Sequence, residues 1–305
     1  MKKNFILIIP GGIGFAGGGP CLINDLCIFE TAYPWNVQVG CRTLSKKISG
    51  RVACIVGYDD YYYHWMHDVL GKLIMLQKSG IKYDKLYIAC DRSYQTETLK
   101  ILGVNFDMIV KQGSRDECIQ ADELICPSLP ARVVVNDFKL CKKFELSAYY
   151  YADWVIDYLQ KLFLPLSEKV NKNFSKKIFL SRDDAVYRIV ENEDEVFALF
   201  EQRGFVRYRL SELSVVEQVA LFHQAEVIVG AHSSGFVNWI FCQPGTKVVE
   251  IFQKRLDLSF FYIAQQMNLN YDYIKTTEYL IGKGAQSTKI PLDIIQKFLI
   301  NNPEL

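Results

Sequence analysis

The stretch VIVGAHSSGFVNWIF, residues 227–241, carries the pattern that predicts the fold. A short apolar run ends at Gly230, a polar loop follows, and a helix-compatible apolar run begins near Phe236. A strand that leads through a loop into a helix is typical of parallel α/β sheets, in which ligands bind at the carboxyl ends of the strands. The stretch therefore predicts a strand of such a sheet and a candidate binding loop directly after it.

The loop at 231–235 has the side chains that an anion site needs. Ser233 and Ser234 offer hydroxyl donors, His232 can donate to a phosphate oxygen, and Gly235 allows close approach to the backbone. The helix predicted to follow would add N–H groups that have no partner within the helix. Two interpretations stay open on these residues alone: a phosphate-binding loop, or a serine-capped turn between a strand and a helix.

The residues around this stretch predict a doubly wound sheet. Apolar strands alternate with amphipathic helices between residues 176 and 252; the strands are KIFLSRD, FVRYRLS, VIVGA and TKVVEIF. Ser181 and Arg182 lie at the carboxyl end of the first of these strands, and Arg188 lies in the next loop. Because arginine suits bidentate phosphate contact, two arginines and His232 at one sheet edge favour an anion site over isolated surface charges.

A second glycine cluster opens the chain, in NFILIIPGGIGFAGGG at residues 4–19. Gly12, Gly14 and Gly17 match the spacing G-x-G-x-x-G of dinucleotide-binding turns. That turn binds a pyrophosphate only where a helix follows, and the next residues, Gly-Gly-Pro, break a helix. We therefore expect a glycine-rich connection between two early strands; a loop that borders a site is the alternative.

The first half of the chain predicts a second α/β domain. FILIIP, CLINDLCIF, NVQVGCRTL and VACIVG are expected to be strands, and helices and strands alternate after them. A long helix that ends before Pro165, followed by a polar stretch, indicates a domain boundary. We expect domains at 1–165 and 176–289, with a terminal helix at 290–305 that packs back on the first domain.

The helix of the first half, in YDDYYYHWMHDVLGKL at residues 58–73, carries candidate acid–base groups. His64, His67 and Asp68 lie at i, i+3 and i+4 and so share one helical face. A histidine or a carboxylate there could take a proton from a substrate hydroxyl. Aromatic neighbours such as Tyr63 and Trp65 offer flat surfaces with polar tips.

Two alternatives compete for the same helix. One is a core histidine with ordinary aromatic packing. The other is a metal site formed by the three polar residues, for which His223 or His232 would have to supply a further ligand.

The composition excludes several classes of protein. Lys and Arg number 35 against 34 Asp and Glu, and this net charge of +1 does not support nucleic-acid binding through broad positive charge. The nine cysteines show no C-x-x-C spacing, which indicates buried free thiols in a reducing compartment. No segment has the roughly 20 predominantly apolar residues of a membrane-spanning helix. We therefore expect a cytoplasmic protein. Peripheral contact with a membrane is compatible with this expectation.

These motifs resemble those of glycosyltransferase family 61. YYYHWMHDVLGKL is similar to its N-x-x-H-W-x-x-D/E block, with Tyr61 in place of the asparagine. IFLSRDDAVYRIVENEDEV resembles its I-x-x-S-R-x-x-x-x-R-x-x-x-N-E block. Residues 213–252 resemble its S-x-x-E-Q…G-x-H-G-A-G-L-T-N…P-G-T-x-V-x-E block, in which H-G-A-G reads His-Ser-Ser-Gly. The resemblance covers about residues 50–80 and 176–252.

The resemblance implies a GT-B architecture, in which two Rossmann-like domains face each other across a cleft. The second domain would bind a nucleotide sugar and the first a glycan acceptor, and transfer would be inverting without a metal or another cofactor. By their positions in the family's motifs, the nucleotide-sugar-binding residues would be Arg182, Arg188, Glu217, His232, Ser233, Ser234, Gly235, Asn238 and Glu250. Glu217 and Glu250 would contact the ribose or the donor sugar, or else be structural carboxylates.

On the acceptor side, we expect Asp68 to be the base and His64 its orienting partner, with Tyr63, Trp65 and His67 nearby. The expected activity is a hexosyl- or pentosyltransferase that uses an NDP-sugar, with a UDP-sugar favoured, in a bacterial surface polysaccharide pathway. One alternative is a binding protein for nucleotide sugars or glycans without catalysis. Another is a metal-dependent hydrolase built on His64, His67 and Asp68.

Overall fold

The computed structural model describes residues 4–16, 21–23, 26–28, 46–57, 60–114, 117–130, 132–133, 149–186, 188–252, 257–276 and 287–305. The chain forms two compact units, Met1–Arg132 and Val133–Leu305. Each unit contains a sheet with parallel strands and helices that connect them, so the predicted α/β class is confirmed. The predicted strand NVQVGCRTL lies outside the described residues.

The first unit is built on an eight-stranded sheet. Its strands are β1 Ile6–Pro10, β2 Ile13–Phe15, β3 Cys21–Ile23, β4 Leu26–Ile28, β5 Lys46–Cys54, β6 Lys85–Ile88, β7 Ile109–Lys111 and β8 Cys118–Pro127. Its helices are α1 Tyr62–His64, a π-helical turn Trp65–Val69, α2 Leu70–Ser79, α3 Ser93–Ile101 and a short 3-10 helix Phe106–Met108.

The parallel part of this sheet has the strand order β7-β6-β5-β8, with β1 and β2 paired antiparallel to β8. Numbered along the chain, the parallel strands run 3-2-1-4, which is the order found in Rossmann sheets. The order reverses between β5 and β8, and the helical segment that begins at Tyr62 follows β5 directly. The predicted acid–base helix therefore begins at the end of the sheet where α/β proteins bind ligands.

The opening glycines are packing residues in the described part of the cluster. Gly14 lies within β2, and a Cβ atom added to it would lie 2.7 Å from Sγ of Cys54. A Cβ atom on Gly12 would lie 2.8 Å from Cβ of Leu124. The prediction that this part only connects two strands is therefore wrong, because the cluster itself contains strand β2. The glycines allow that strand to lie close to its neighbours.

The second unit contains a five-stranded sheet that is parallel throughout. Its strands are β11 Lys177–Leu180, β13 Val206–Tyr208, β14 Val227–Ala231, β15 Lys247–Phe252 and β16 Asn270–Lys275. The short strands β9 Arg132–Val133, β10 Tyr149–Tyr150, β12 Ile189–Val190 and β17 Ser287–Thr288 pair outside it, β9 with β10 and β12 with β17. The α-helices are α4 Asp153–Ser167, α5 Glu193–Glu201, α6 Val215–Gln224, α7 Ser259–Gln266 and α8 Leu292–Asn301. Two 3-10 helices span Leu210–Glu212 and Ser234–Phe241.

The strand order of this sheet is β13-β11-β14-β15-β16, or 2-1-3-4-5 along the chain. The four predicted strands are confirmed, and β16 is a fifth that the sequence reasoning missed. The segment predicted to be a helix after β14 is the 3-10 helix Ser234–Phe241. The strand order reverses between β11 and β14, so the switch point of the sheet lies next to the loop at residues 231–235.

The compact units divide between Arg132 and Val133, whereas the sequence placed a domain boundary near Pro165. Helix α4 continues through Pro165 to Ser167 and packs on the second unit. Nε2 of Gln160 donates to the Ile240 carbonyl oxygen at 2.6 Å, and the rings of Phe163 and Phe241 lie 6.0 Å apart. Residues 133–165 therefore group with the second unit, because the apolar face of α4 is buried there.

The terminal helix α8 also packs on the second unit, which corrects the expectation that it returns to the first. Ile295 and Leu299 lie in one hydrophobic cluster with Val196 and Phe200 of α5. Asn192 donates from Nδ2 to the Ile290 carbonyl oxygen and accepts from the Ile290 N–H, both at 2.8 Å. These bonds anchor the segment that leads into α8.

Two further expectations are tested in part. Cys54, Cys90, Cys118 and Cys242 are free thiols, as expected, but Cys126 is disulfide-bonded, so the prediction of free thiols is wrong for that residue. In the described part of the chain, every helix is too short or too polar to cross a membrane.

Candidate functional site

The carboxyl edge of the second sheet brings together the two predicted phosphate loops. Strands β11 and β14 are neighbours, and Leu180 is paired with Gly230. Ser181 and Arg182 leave the sheet on one side of this pair, and His232 leaves it on the other. A Cβ atom on Gly230 would lie 3.1 Å from both Cβ and the carbonyl oxygen of Leu180, so glycine permits this close strand contact.

The loop at 181–188 is held by a buried carboxylate. The Ser181 hydroxyl donates to Oε1 of Glu193, and the Arg182 N–H donates to Oε2 of Glu193 at 2.8 Å. Burial raises the pKa of Glu193, and the hydrogen bonds from Ser181 and Arg182 oppose this shift. Glu193 thereby fixes the start of the arginine loop.

The same loop is clamped from the outside by Arg209. Its guanidinium binds both carboxylate oxygens of Asp183, with Nε 2.6 Å from Oδ1 and 2.8 Å from Oδ2. Asp184 accepts a hydrogen bond from the hydroxyl of Ser211. The acidic side chains of the loop are therefore directed to residues 209–211.

Arg182 and Arg188 lie close enough to repel each other. Nε of Arg182 donates to the Arg188 carbonyl oxygen at 3.3 Å. Burial, and then the guanidinium of Arg188, lowers the pKa of Arg182 to about 10. Arg188 has a φ of 55°, a left-handed conformation that is uncommon for a residue with a side chain. A polyanion bound here would relieve the repulsion between the two cations.

His232 is held by a buried carboxylate. Its Nδ1 atom is hydrogen-bonded to Oε1 of Glu250, and Tyr271 donates from its hydroxyl to Oε2 of Glu250 at 2.8 Å. The imidazole lies between Phe252 and Phe260, with ring centroids 5.9 Å and 5.1 Å away. Its side chain is 14% exposed, whereas that of Glu250 is 0% exposed. Of the two roles considered for Glu250, contact with the sugar or a structural carboxylate, its complete burial and its bond to His232 favour the structural one.

The rest of the 233–238 segment divides between the surface and the core. Ser234 and Gly235 are half-buried, and Ser233 is nearly buried at the start of the 3-10 helix. A Cβ atom on Gly235 would lie 2.4 Å from Cδ1 of Leu210, so this glycine also serves packing. Asn238 was expected near the pyrophosphate, but it is fully buried and donates to Oε1 of Gln218 at 2.9 Å.

Glu217 forms part of the N-terminal cap of α6. The Ser214 N–H donates to Oε2 of Glu217 at 2.9 Å, and the Glu217 N–H donates to the Ser214 hydroxyl at 3.2 Å. The bond from the Ser214 backbone holds the pKa of Glu217 below its usual value, and Lys172 adds an ion pair at 3.3 Å. Of the two roles considered for Glu217, this geometry favours the structural one.

In the first unit, His64 and Asp68 form a hydrogen-bonded pair. Nδ1 of His64 lies 2.8 Å from Oδ2 of Asp68, across the π-helical turn. The side chain of His64 is 17% exposed and that of Asp68 is 0% exposed. The ring of Tyr61, itself 43% exposed, lies edge-on to His64 at 6.4 Å. Only the histidine of this pair can contact a ligand directly.

The other acceptor-side candidates are buried, which does not agree with direct contact to an acceptor. Trp65 is 0% exposed, and its Nε1 donates to Oγ1 of Thr98 at 2.9 Å. His67 is 0% exposed and Tyr63 only 7% exposed. Burial lowers the pKa of His67 well below its usual value, and His64 adds to the shift, so His67 is neutral. These residues support the helix from within.

A metal centre receives no geometric support from the described residues. Among them, no three His, Cys, Asp or Glu side chains are grouped so that they could hold a metal ion. The hydrolase alternative, which needs His64, His67 and Asp68 around one ion, therefore has no preformed site in this part of the chain.

Comparison with known families identifies the class of protein. Residues 62–249 match the family model described as Glycosyltransferase 61, and this range is more than half of the chain. The chain belongs to glycosyltransferase family 61. Its matched range contains both the His64–Asp68 pair and the loops of Arg182 and His232. A search of curated proteins found no match to this glycosyltransferase.

Three functional candidates of this glycosyltransferase escaped the sequence reasoning. Tyr271 lies on the missed strand β16, and the spacing of Tyr271 and Tyr273, two residues apart and so on one face of a strand, was the available signal. Arg209 follows β13 as Arg182 follows β11, so its position at a strand end could have marked it. Lys72 donates from a buried Nζ to the Val56 carbonyl oxygen at 2.8 Å and ties α2 to the loop after β5; no pattern in the sequence predicts this contact.

Proposed function

We propose that the protein is an inverting glycosyltransferase that moves a hexose or pentose from a nucleoside-diphosphate sugar to a glycan acceptor. The single observation that carries this proposal is the switch point of the second sheet, where Arg182, Arg188 and His232 leave neighbouring strands at one edge. Membership of glycosyltransferase family 61 supports the reaction class. A UDP-sugar is the first candidate for the donor.

On the donor side, the proposal assigns the diphosphate to the two arginines and His232. Negative charge accumulates on the diphosphate as the bond from the anomeric carbon to the phosphate oxygen breaks. Two guanidinium groups that repel each other in the free protein gain most when an anion comes between them. The hydroxyls of Ser233 and Ser234 are assigned to the same phosphates as hydrogen-bond donors.

On the acceptor side, the geometry favours His64 as the base, the reverse of the assignment that the spacing first suggested. Asp68 is completely buried and hydrogen-bonded to Nδ1 of His64, so it can orient the imidazole and stabilise its protonated form. Nε2 of His64 then accepts the proton of the acceptor hydroxyl. The hydroxyl oxygen attacks the anomeric carbon, and the nucleoside diphosphate leaves from the opposite face, so that the configuration inverts.

This mechanism requires the two sheet edges to border one cleft, the arrangement called GT-B. It also requires no metal ion in the chemical step, since Arg182, Arg188 and His232 supply the positive charge that a divalent cation would otherwise provide. We further propose that the protein acts in the cytoplasm in the synthesis of a bacterial surface polysaccharide.

The proposal is tested first by binding. UDP, GDP, CMP and their sugars are screened by thermal shift, because a ligand that binds only the folded state raises its unfolding temperature. UDP is expected to stabilise the wild type, and this stabilisation should be lost in both Arg182→Ala and His232→Ala. Unchanged stabilisation by UDP in both variants would refute the phosphate assignment.

Catalysis is tested with the nucleotide sugar that binds. Release of UDP is measured with and without a panel of glycan acceptors for the wild type, His64→Ala and Tyr62→Phe. Tyr62→Phe is the control, because it keeps the ring that packs against Tyr94 at a centroid distance of 5.2 Å. Loss of turnover in His64→Ala with retained UDP binding supports the enzyme. Wild-type binding without turnover under any condition would favour a non-catalytic binding protein, and turnover that depends on an added metal would favour the hydrolase.

A further inference from the structure

We propose that Glu250 and Tyr271 are positioning residues that let His232 bind the leaving diphosphate as a cation, with uptake of one proton. The inference rests on the proposed function for its ligand, a nucleoside diphosphate. It goes beyond that function by assigning a role to a buried carboxylate and a half-buried tyrosine, neither of which needs to touch the nucleotide. Tyr271 also lies beyond the matched range of the family, residues 62–249.

The direction of the His232 imidazole is fixed by its neighbours. Glu250 is hydrogen-bonded to Nδ1, and the rings of Phe252 and Phe260 restrict rotation on either side. The His232 N–H donates to the Ile251 carbonyl oxygen at 3.0 Å, so the backbone is fixed as well. Among the described residues, none is hydrogen-bonded to Nε2, the ring atom available to a ligand.

Glu250 determines which nitrogen of the His232 imidazole carries a hydrogen. A carboxylate can only accept, so Nδ1 must carry the hydrogen of this bond whenever Glu250 is ionised. In the neutral imidazole Nε2 then has no hydrogen and would repel a phosphate oxygen. Nε2 becomes a donor only when His232 takes up a second proton, which the carboxylate of Glu250 stabilises.

Glu250 must remain ionised for this role although it is completely buried. Burial raises the pKa of Glu250, while His232 and then the Tyr271 hydroxyl oppose the shift. Tyr271 is held in place by the rings of Trp239, 6.1 Å away, and Phe261, 5.5 Å away. Of the other described charged groups, Asp257 acts on Glu250 and Asp272 acts on Tyr271, and both are carboxylates. Tyr271 is therefore the neutral donor that favours the ionised form of Glu250.

The ligand test measures proton uptake and affinity together. Binding of UDP and of uridine to the full chain is measured by calorimetry in buffers of different ionisation enthalpy. We expect the wild type to take up protons with UDP and none with uridine. In Glu250→Gln the uptake should vanish and UDP affinity should fall about 10- to 100-fold, the range for a hydrogen bond to a charged group. Uridine affinity should stay unchanged, and Tyr271→Phe should give an intermediate loss.

The control variant is Tyr273→Phe, which removes an exposed hydroxyl from the same strand and should leave both quantities unchanged. Equal proton uptake in the wild type and Glu250→Gln would overturn the proposal. So would an equal loss of UDP and uridine affinity in Glu250→Gln, because that result indicates general disruption of the site.

A second measurement does not depend on any ligand and separates this proposal from the proposed function. The chain has four histidines, so nitrogen-15 NMR of the side chains can be assigned with a His232→Gln variant. Nδ1 of His232 is expected to carry a hydrogen in the free protein. A bare Nδ1 overturns the positioning role even if UDP binds. If no nucleotide binds the wild type, the proposed function and the diphosphate role fall together, whatever the NMR result.

Discussion

His64 and Asp68 share a hydrogen bond of 2.8 Å, yet only His64 reaches the surface. His232 and Glu250 repeat this relationship in the other unit. The imidazole there is partly exposed and is hydrogen-bonded to a fully buried carboxylate. In both pairs the carboxylate binds Nδ1 and directs Nε2 away from it. The two pairs differ in the proposed chemistry, since His64 accepts a proton from a substrate and His232 donates a hydrogen bond to a leaving group.

The His64–Asp68 pair predicts a graded loss of turnover. His64→Gln removes the group proposed to accept the proton, so the transfer rate should fall roughly 100- to 10,000-fold. Asp68→Asn keeps the volume but removes the charge that stabilises protonated His64, and we expect a smaller loss. UDP affinity measured by calorimetry should be unchanged in both variants. A larger loss in Asp68→Asn than in His64→Gln would return the role of base to Asp68.

We expect Arg188 to contribute to donor binding but not to stabilise the fold. Asparagine tolerates the left-handed φ of 55° at position 188 and removes a charge that repels Arg182. Arg188→Asn should therefore weaken UDP binding about tenfold or more while leaving the unfolding temperature equal or slightly higher. Lys297→Gln, which removes an exposed charge from α8, is the control. Equal UDP affinity in wild type and Arg188→Asn would remove Arg188 from the phosphate site.

Glu193 should affect stability with a defined pH dependence. Burial raises its folded pKa above the unfolded value, so its ionisation lowers stability as the pH rises through the folded pKa. Glu193→Gln keeps groups that can bond Ser181 and Arg182 without the charge. It should be as stable as the wild type or more stable at pH 7, and this difference should shrink below about pH 4.

The matched variant Glu193→Ala separates the charge of this residue from its hydrogen bonds. It leaves the partners at positions 181 and 182 unsatisfied and should lower the free energy of unfolding by about 1–3 kcal/mol. Denaturant unfolding across pH checks both variants. If Glu193→Gln were as destabilised at pH 7 as Glu193→Ala, the ionised carboxylate would be required.

The opening glycines should matter for stability and not for nucleotide binding. Gly12→Ala places a Cβ atom 2.8 Å from Cβ of Leu124 and 2.9 Å from Cβ of Ile9, and neither backbone-linked atom can move easily. We expect a loss of about 1–3 kcal/mol in the free energy of unfolding with unchanged UDP affinity. Gly11→Asn is the control, because its side chain meets open space and asparagine tolerates the φ of 64°. Weaker UDP binding in a stably folded Gly12→Ala would restore the phosphate interpretation.

Glu217 should behave as a helix cap. Glu217→Ala removes one half of the capping box with Ser214 and should lower the free energy of unfolding by about 1 kcal/mol at pH 7. Because the folded pKa of Glu217 is depressed, the part of this loss that comes from its charge should disappear as the pH falls below about 4. UDP affinity should not change. A tenfold loss of UDP affinity at unchanged stability would make Glu217 a donor contact after all.

Much of the fold followed from local patterns in the sequence. Apolar runs of strand length and amphipathic runs of helical length identified α2, α5, α6, α8 and the first four strands of the second sheet. Parallel pairing and the position of ligand loops at carboxyl ends are general consequences of that alternation. The same local logic selected the residues at 64, 68, 182, 188 and 232.

The orientation of these side chains could not be read from spacing, because burial depends on residues that are distant along the chain. Asp68 and His64 are both polar, but the packing of the helix buries only the aspartate. Glu250 and Tyr271 meet through the pairing of β15 with β16, 21 residues apart. Helix α4 was assigned to the wrong domain because its amphipathic pattern shows that one face is buried without showing against which partner. Local pattern thus determines which elements form and which groups can do chemistry, whereas long-range packing determines which of those groups meet a ligand.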